Sequence, residues 1–240
     1  MKQPYLSVII PCYNEAKRLP DTLLDIDKHL SHVSFPYEII VVDNNSKDAT
    51  REIAKRFAQF VKNVRVIECR TQGKGAAVQK GMLEATGKIR LFTDADNSTS
   101  IEHFFLMEQH FSDFDIVIGS RDVEGAKMVP PQPWYKRLLG DTGNLVIQVL
   151  LLRGVPDTQC GFKAFTEKVA LEIFSKITCL KWSFDVEALV IAKERGFRVK
   201  EIPVTWVNDI RSLVRPLDYI KFFLEVFKIK IKQIRGLYKV

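Results

Sequence analysis

The feature that most constrains this chain is the alternation, through its first half, of short β-branched segments with longer segments of helical period. Two of the five strand-like segments are almost continuously apolar, which is typical of strands covered on both faces in a parallel sheet. The pattern predicts strands at residues 6–10, 38–42, 64–67, 89–92 and 115–118, and helices at 20–30, 46–61, 74–84 and 101–110. Alternation at this spacing predicts a doubly wound α/β fold with a mostly parallel central sheet and helices on both faces.

The second half of the chain is less regular. The proline-rich residues 129–133 predict a loop, because proline interrupts both helices and strand ladders. Beyond it we expect helices at 134–152, 167–176 and 183–195, mixed loop and strand at 154–165, a strand at 197–206 and a helix from residue 217 onward. We therefore expect one α/β domain over residues 1–215, followed by a basic amphipathic helix over residues 216–240.

The net charge of +7 is concentrated in this last segment, where six basic residues face two acidic ones. Its apolar residues recur at four-three-four-three spacing, at Ile220, Leu224, Phe227, Ile231 and Ile234. Such a helix, with Phe222 and Phe223 beside its lysines, suits an anionic membrane interface. A helix packed on the core with a solvated basic face explains the pattern equally well. Nucleic acid is a weaker partner for this charge, because no groove-reading motif is present.

Two further sequence patterns indicate the cellular compartment in which the chain folds. The longest apolar stretch, residues 145–152, is far shorter than the ~20 residues that span a bilayer, and the N-terminus lacks the apolar segment of a signal peptide. The four cysteines are scattered without a Cys-x-x-Cys pair, which favours reduced, mostly buried thiols in a reducing compartment. We therefore expect a cytoplasmic chain that does not itself cross a membrane.

The pair Asp94 and Asp96 directly follows a predicted strand. Ligands of open α/β sheets bind beyond the carboxyl ends of the strands, and two carboxylates one residue apart can share one divalent cation. These hard oxygen ligands suit Mg²⁺ or Mn²⁺, and no His or Cys cluster is present for a softer metal. An isolated Asp-x-Asp is also common as a turn that caps the next helix.

Three other predicted strands end in polar residues as well. The first ends in Pro11-Cys-Tyr-Asn-Glu15, the second in Asp43-Asn-Asn-Ser46, and the third leads through Arg70-Thr-Gln-Gly-Lys-Gly75 into a helix. An acid at the second strand end can bind a ribose or a base, while Lys74 and its flanking glycines can offer a cation and backbone N–H groups to phosphate. Each motif alone could be a turn or a helix cap, but the series favours a nucleotide site.

These motifs carry a resemblance. In order along the chain they are Ser7-Val-Ile-Ile-Pro-Cys-Tyr-Asn-Glu15, Val41-Val-Asp-Asn-Asn-Ser-Lys-Asp48, Gly73-Lys-Gly-Ala-Ala77, Asp94-Ala-Asp96 and Gly119-Ser-Arg121. Together they resemble the signature of family-2 glycosyltransferases, which have the GT-A fold. Two later motifs resemble the dolichyl-phosphate β-glucosyltransferase branch of that family, Asp157-Thr-Gln-Cys-Gly-Phe-Lys163 and Trp182-Ser-Phe-Asp-Val-Glu187.

The resemblance implies a role for each motif. It assigns the nucleoside to Pro11, Tyr13, Glu15 and Asp43, the metal and diphosphate to Asp94 and Asp96, and phosphate charge to Lys74 and Arg121. It places around the sugar and the reaction centre Asp157, Gln159, Trp182, Asp185 and Glu187. The chain departs from the family at Asn44, usually an acid, at Asn45, usually a glycine, and at Leu213, where the branch carries a basic residue that Arg211 or Arg215 could replace.

The resemblance implies an inverting, metal-dependent transfer of a sugar, most readily glucose from UDP-glucose, to a dolichyl or polyprenyl phosphate at the cytosolic face of a membrane. A phosphate monoester with a second pKa near ~6 is mostly dianionic at neutral pH and needs no strong base. The repulsion between the acceptor and the donor diphosphate would be offset by the metal and by Arg121, Lys163, Lys136 or Arg137. Asp157 is the candidate for a base or for a group that stabilises an oxocarbenium ion, and a structural turn with Thr158 is equally compatible with its position.

Four alternatives remain open at this level. The donor could be another nucleotide sugar such as GDP-mannose, or the acceptor a soluble glycan or protein hydroxyl, which would require a base. A nucleotidyltransferase would release free pyrophosphate. A membrane-docked protein that binds nucleotide sugar without turnover is the alternative outside enzymology.

Overall fold

The computed structural model of the 240-residue chain describes residues 3–131, 134–208 and 216–239. Its main sheet has seven strands in the order β3-β2-β1-β4-β7-β5-β8. The strands are β1 (Leu6–Cys12), β2 (Tyr37–Asp43), β3 (Val64–Glu68), β4 (Ile89–Thr93), β5 (Ile116–Ser120), β7 (Phe162–Thr166) and β8 (Val199–Pro203). Only β7 runs against its neighbours β4 and β5, so the described sheet is mostly parallel, as predicted.

Helices cover both faces of this sheet. One face carries α1 (Leu19–Leu30), α2 (Thr50–Phe60) and, after a 3₁₀ turn at Ile101–His103, α4 (Phe104–Glu108). The other carries α3 (Lys74–Glu84), α5 (Trp134–Leu150), α6 (Glu167–Phe174), α7 (Phe184–Glu194) and α8 (Pro216–Ile234). Because β1 is buried along its whole length and β2 over its last five residues, both need the continuous apolar sequences from which they were predicted.

The five strands predicted in the first half are confirmed, and two predictions need correction. The helix expected at 46–61 starts only at Thr50, because residues 46–48 bind the loop after β1. There Ser46 Oγ accepts from the N–H of Asn14, and Asp48 accepts from that of Ala16. The strand expected at 197–206 is divided into β8 and β9 (Thr205–Val207), and β9 pairs instead with the unpredicted β6 (Lys127–Val129) in a second, two-stranded sheet.

The C-terminal helix α8 has two different apolar faces. Phe222, Val226 and Ile229 are buried in the core against α7, together with Tyr238 beyond the helix end. The opposite face exposes four residues of the predicted stripe, Leu224, Phe227, Ile231 and Ile234, which are between 49% and 74% exposed. The side chain of Ile220, the fifth, lies outside the described residues. Phe222 therefore packs on the core rather than facing a membrane. One face of the segment 216–239 belongs to the same core as the α/β domain.

Two predictions about membranes and cysteines can be compared with the described residues. Among them, no helix combines the length and the hydropathy that a bilayer span requires. All four cysteines are buried and unpaired. Burial raises the pKa of the thiols of Cys160 and Cys179 to about 12, so both remain protonated at neutral pH.

Candidate active site

Most of the predicted site residues that the structure describes lie at the carboxyl ends of the parallel strands, a side of the sheet here called the cleft edge. The parallel strands β1, β2, β4 and β5 end there, and the antiparallel strand β7 begins there. Strand β7 lies between β4 and β5, which brings the sequence motif before β7 beside the motif after β4. Open α/β sheets generally bind their ligands beyond the carboxyl ends of the strands, which is where the cleft edge lies.

Asp94 and Asp96 lie at the centre of the edge, directly after β4. Asp94 Oδ1 is 2.6 Å from the Nζ of Lys74 at the start of α3. Asp96 Oδ1 accepts a hydrogen bond from the N–H of Ser98 at 3.0 Å. Gly161 makes room for the first carboxylate, because a Cβ at that position would lie 2.1 Å from Asp94 Oδ2. No side chain larger than hydrogen fits there, a requirement that the sequence motif alone did not reveal.

A third carboxylate, Glu15, stands close to this pair. It forms two hydrogen bonds of 2.6 Å with Arg18, and Arg18 Nη1 also lies 3.9 Å from Asp96 Oδ2. Burial raises the pKa of Glu15 overall, although the hydrogen bonds and charge of Arg18 lower it; Asp96 and Asp94 contribute smaller increases. Burial and then Asp94 likewise raise the pKa of Asp96. At this place the three carboxylates Glu15, Asp94 and Asp96 contact two cations, Arg18 and Lys74.

This set of carboxylates suits a divalent cation. Asp94 and Asp96 offer hard oxygen ligands, and burial together with the charge of Asp94 raises the pKa of Asp96, so an added positive charge would stabilise its ionised form. Within the described part of the chain, no group of three His, Cys, Asp or Glu side chains forms a preorganised cation site. The two aspartates fit a cation whose remaining ligands come from a bound diphosphate and water, as Mg²⁺ usually requires.

The predicted nucleoside residues surround the ends of β1 and β2. Pro11 is buried in β1, Tyr13 is 41% exposed in the loop beyond it, and Asp43 is fully buried. Arg51 donates two hydrogen bonds of 2.9 and 2.8 Å to Asp43 Oδ2. A nucleoside would thus meet an Asp43–Arg51 pair rather than an isolated acid, and Arg51 was not found from the sequence.

Asn44, one of the departures from the family pattern, has a structural reason. Its amide donates to the carbonyl oxygens of Cys69 and Thr71, and its Oδ1 accepts from the N–H of Gly73. A carboxylate could not donate the first two bonds. Asn45 adopts a φ of 65°, a backbone conformation that glycine and asparagine tolerate best. Asn44 thus binds the loop after β2 to the loop that leads from β3 into α3, and Asn45 allows the turn after β2.

The N-terminus of α3 differs from the expected phosphate cradle. The N–H groups of Gly75 and Ala76 donate to the carbonyl oxygens of Lys181 and Leu180, at 3.1 and 3.0 Å. A Cβ on Gly73 would lie 2.0 Å from the Leu180 oxygen, which explains the glycine. These backbone groups are therefore occupied by another loop, and the start of α3 brings the charge of Lys74 to the cleft edge. Burial lowers the pKa of Lys74, but Asp94 outweighs burial and raises it overall.

Asp157 and Arg121 form a buried pair. Asp157 is fully buried and accepts two guanidinium hydrogen bonds from Arg121, at 2.7 and 2.9 Å. It also accepts from the backbone N–H groups of Arg121, Gln159 and Cys160. Burial alone would raise the pKa of Asp157, but the charge and hydrogen bonds of Arg121 lower it overall. These contacts favour a structural role for Asp157 over a role as a base, because a base needs an accessible oxygen with a sufficiently high pKa.

Two other predicted site residues, Lys163 and Asp185, are buried side by side. Lys163 is fully buried; its Nζ donates to the Cys160 carbonyl oxygen and lies 3.7 Å from Asp185 Oδ2. It therefore cannot contact an acceptor phosphate directly in this conformation. Asp185 is itself buried, and burial raises its pKa. The buried Lys163–Asp185 pair lies near the Lys74–Asp94 pair, so positive and negative groups alternate from the cleft edge into the protein.

Glu187 also lies away from the cleft. It is fully buried and accepts hydrogen bonds from the N–H groups of Thr178 and Cys179, and from the hydroxyls of Thr178 and Tyr238. The resemblance placed Glu187 around the sugar, whereas in the fold its carboxylate oxygens are occupied by these donors. Trp182, on the loop above it, is 43% exposed with its ring 5.9 Å from the Nζ of Lys74, a position that suits contact with a ligand. The side chains of Lys136 and Arg137, and residues 211–213 and 215, lie outside the described part of the chain.

A sequence profile of Glycosyl transferase family 2 matches residues 7–174, more than half of the chain. The chain belongs to glycosyl transferase family 2. Curated relatives extend the match over nearly all of the chain. A Dictyostelium discoideum protein named dolichyl-phosphate beta-glucosyltransferase is 34% identical over 251 residues, which cover 98% of this chain and 77% of that protein. A Homo sapiens protein of the same name is 32% identical over 254 residues, covering 98% and 78%.

Solved structures of other glycosyltransferases have the same fold. Glucosyl-3-phosphoglycerate synthase from Mycobacterium tuberculosis, crystallised with Mn²⁺, uridine diphosphate and phosphoglyceric acid, superposes with a TM-score of 0.69 at 17% identity, covering 94% of this chain and 77% of that one. Its complex with Mg²⁺ and uridine diphosphate gives a TM-score of 0.69 and covers 94% and 78%. The GT-A fold predicted for this family-2 glycosyltransferase is thereby confirmed.

Proposed function

We propose that this family-2 glycosyltransferase transfers glucose from UDP-glucose to a dolichyl or related polyprenyl phosphate, with inversion to a β-linked product. The observation that carries the proposal is the extent of the similarity. Relatives named dolichyl-phosphate beta-glucosyltransferase match 98% of the chain, including the basic helix α8. A uridine nucleotide and a divalent cation are also bound by the glucosyl-3-phosphoglycerate synthase that shares the fold.

The charges at the cleft edge support this chemistry. The reaction brings together two anions, the acceptor phosphate and the diphosphate of the donor. Asp94 and Asp96 would hold Mg²⁺ or Mn²⁺, and the bound cation would stabilise the leaving diphosphate as a Lewis acid. Lys74 supplies positive charge next to the same carboxylates. Arg121 follows β5 at the same edge with 19% of its side chain exposed, so it can receive the acceptor phosphate while Asp157 holds its orientation.

A phosphate acceptor also agrees with the state of Asp157. A hydroxyl acceptor must lose a proton as it attacks, whereas a phosphate dianion already carries the nucleophilic charge. Asp157 has a lowered pKa and accepts five hydrogen bonds, so it is a poor proton acceptor. We therefore favour a lipid phosphate over a soluble glycan, with Asp157 as the residue that positions Arg121.

The exposed apolar stripe of α8 gives a surface on which the lipid could be reached. Leu224, Phe227, Ile231 and Ile234 project away from the core, with Lys221 and Lys228 exposed beside them. The neighbouring helix α5 exposes Leu145 and Val149 as well. Apolar groups flanked by lysines suit the interface of a membrane with anionic lipids. The four reduced, buried cysteines agree with a location on the cytosolic side.

A reconstituted assay tests the proposal. The purified protein is incubated with Mn²⁺ or Mg²⁺, with UDP-glucose or GDP-mannose, and with either polyprenyl phosphate in vesicles or soluble glycans. We expect glucosyl polyprenyl phosphate from UDP-glucose, and none from Asp96→Asn. Preference for GDP-mannose would overturn the assignment of UDP-glucose as the donor. A glycosylated glycan would overturn the assignment of a lipid phosphate as the acceptor. Free pyrophosphate would indicate nucleotidyl transfer, and nucleotide-sugar binding without any product would indicate a binding protein.

A further inference from the structure

The loop formed by residues 178–183, here called the Trp182 loop, connects the cleft edge to the C-terminal segment. At its cleft side, the carbonyl oxygens of Leu180 and Lys181 accept the N–H groups of Ala76 and Gly75 at the start of α3. These are the first residues after Lys74, which binds Asp94. The position of the loop and the position of Lys74 are therefore set by the same pair of backbone hydrogen bonds.

The other side of the loop rests on Glu187, the buried carboxylate of α7. Glu187 Oε2 accepts from the N–H groups of Thr178 and Cys179, at 2.8 and 2.6 Å. Its Oε1 accepts from the hydroxyl of Thr178 at 2.6 Å. Burial alone would raise the pKa of Glu187, but these hydrogen bonds lower it overall. The carboxylate is thus ionised at neutral pH and holds the first two residues of the loop.

Two residues of the C-terminal segment also contact the carboxylate of Glu187. The hydroxyl of Tyr238 donates to Glu187 Oε1 at 2.7 Å, and the Nζ of Lys232 lies 3.6 Å from the same oxygen. Lys232 also contacts the hydroxyl of Thr178, and Glu225 of α8 accepts from the hydroxyl of Ser183 at the end of the loop. Both ends of the Trp182 loop are therefore bound by side chains that lie more than 40 residues later in the chain.

We propose that Tyr238 and Lys232 are positioning residues for the donor site. By neutralising and orienting Glu187 they hold the Trp182 loop against α3, and through it they hold Trp182 and Lys74 over Asp94. The helix whose outer face we assign to the membrane thereby shapes the donor site with its inner face. This inference rests on the proposed function only in taking the Trp182 loop to contact the nucleotide sugar.

Hydrogen exchange of the free protein tests the inference without any substrate. Tyr238→Phe removes one hydroxyl and leaves the ring, which is 3% exposed in the core. Loss of a hydrogen bond to a buried carboxylate should make local opening about tenfold or more frequent. We expect the amides of Gly75, Ala76 and Cys179 to exchange faster by that factor, while the amides of β1 and β4 do not change.

A matched control is available at the opposite edge of the sheet. Tyr5, which precedes β1, has its hydroxyl near the carboxylate of Glu108, and burial and this charge raise its pKa. Tyr5→Phe makes the same chemical change far from the loop and should leave exchange at Gly75 and Ala76 unaltered. Unaltered exchange in Tyr238→Phe, or acceleration spread evenly over the sheet, would overturn the proposal. If that variant does not fold, Lys232→Met is measured in the same way and its outcome decides.

Kinetics provide the second readout. With the acceptor in detergent micelles, Tyr238→Phe should raise the KM for the nucleotide sugar several-fold and leave the KM for the acceptor unchanged. Equal changes in both constants would show that Tyr238 only supports the fold. If the exchange result holds but no lipid product forms from any nucleotide sugar, the positioning role survives and the proposed function fails.

Discussion

Lys74 and Asp94 form an ion pair across the cleft edge, with 2.6 Å between Nζ and Oδ1. The lysine comes from the start of α3 and the aspartate from the end of β4, so the pair joins two loops of the nucleotide site. The negative charge of Asp96 is less fully offset than that of Asp94, because its ion pair with Arg18 is longer, at 3.9 Å. This agrees with the raised pKa of Asp96. A cation at this edge would therefore stabilise the ionised form of Asp96, whose charge the 3.9 Å contact with Arg18 offsets only in part.

The first prediction follows for Asp96. Asp96→Asn should reduce transfer by at least about a thousandfold, because loss of a metal ligand removes several kcal/mol of charge stabilisation in the transition state. Chelation of divalent cations should do the same to the native enzyme. Asp113→Asn, an exposed acid remote from the cleft, is the control. Full activity in excess chelator would contradict the metal role.

The same residue predicts a change in stability. The pKa of Asp96 is higher in the folded than in the unfolded chain, so its ionised form opposes folding at pH values above the folded pKa. Asp96→Asn should consequently raise the unfolding midpoint of the metal-free protein at pH 7, and the advantage should shrink as the pH falls through that pKa. Thermal unfolding of both proteins between pH 4 and 8 measures this. A lower midpoint for the variant at pH 7 would refute the electrostatic picture.

Asp157 gives the third prediction, which separates a structural role from a catalytic one. Asp157→Asn should destabilise the protein by about 3 kcal/mol or more, because it leaves Arg121 without its buried partner. The folded pKa of Asp157 is lowered, so this contribution is present above the unfolded pKa of about 3.9 and is lost as the pH falls through the folded value. Urea unfolding at pH 7 and pH 3 measures the difference. Unchanged stability with a large loss of kcat would instead support a base.

Asn44 gives the fourth prediction. Restoring the acid that the family usually carries, by Asn44→Asp, should cost about 2 kcal/mol or more, because the carboxylate would face the carbonyl oxygens of Cys69 and Thr71 without protons to donate. Asn63→Asp, on an exposed position before β3, is the control. Calorimetric titration with UDP and GDP should show weaker UDP binding in Asn44→Asp. Tighter UDP binding would mean that position 44 contacts the nucleotide directly.

The fifth prediction concerns the outer face of α8. Phe227→Ser combined with Ile231→Ser should reduce sedimentation with anionic vesicles by about tenfold or more, since each inserted side chain contributes about 1.5–3 kcal/mol when fully buried. Stability should change little, because the two residues are 52% and 49% exposed. Transfer to a long polyprenyl phosphate in vesicles should fall, and transfer to a short water-soluble analogue should not.

The control for the substitutions on the outer face of α8 is Leu24→Ser, which removes a similarly exposed leucine from α1 on the other face of the sheet. Salt should weaken vesicle binding without abolishing it, because ions screen the lysines and not the apolar stripe. Deletion of the whole helix is a poorer experiment, since it also removes Phe222, Val226 and Ile229 from the core. If the double variant binds vesicles as well as the native protein, the stripe is not a membrane surface.

The sequence by itself determined the α/β fold, the strands of the first half and the series of polar strand ends with Asp94 and Asp96 among them. These features are local. An apolar run in a buried strand and a polar turn after it are properties of neighbouring residues, and parallel strands bring their carboxyl ends together without further information.

Only the tertiary structure decided which polar residues of the later motifs face the cleft. Asp157 and Lys163 come from the segment that leads into β7, and the insertion of β7 between β4 and β5 buries both. Glu187 is turned inward because Thr178 and Tyr238 approach it from two distant parts of the chain. Such contacts depend on strand order and on the docking of α8, and the physical reason that no local pattern predicts them is that burial and pKa are set by neighbours far apart in sequence.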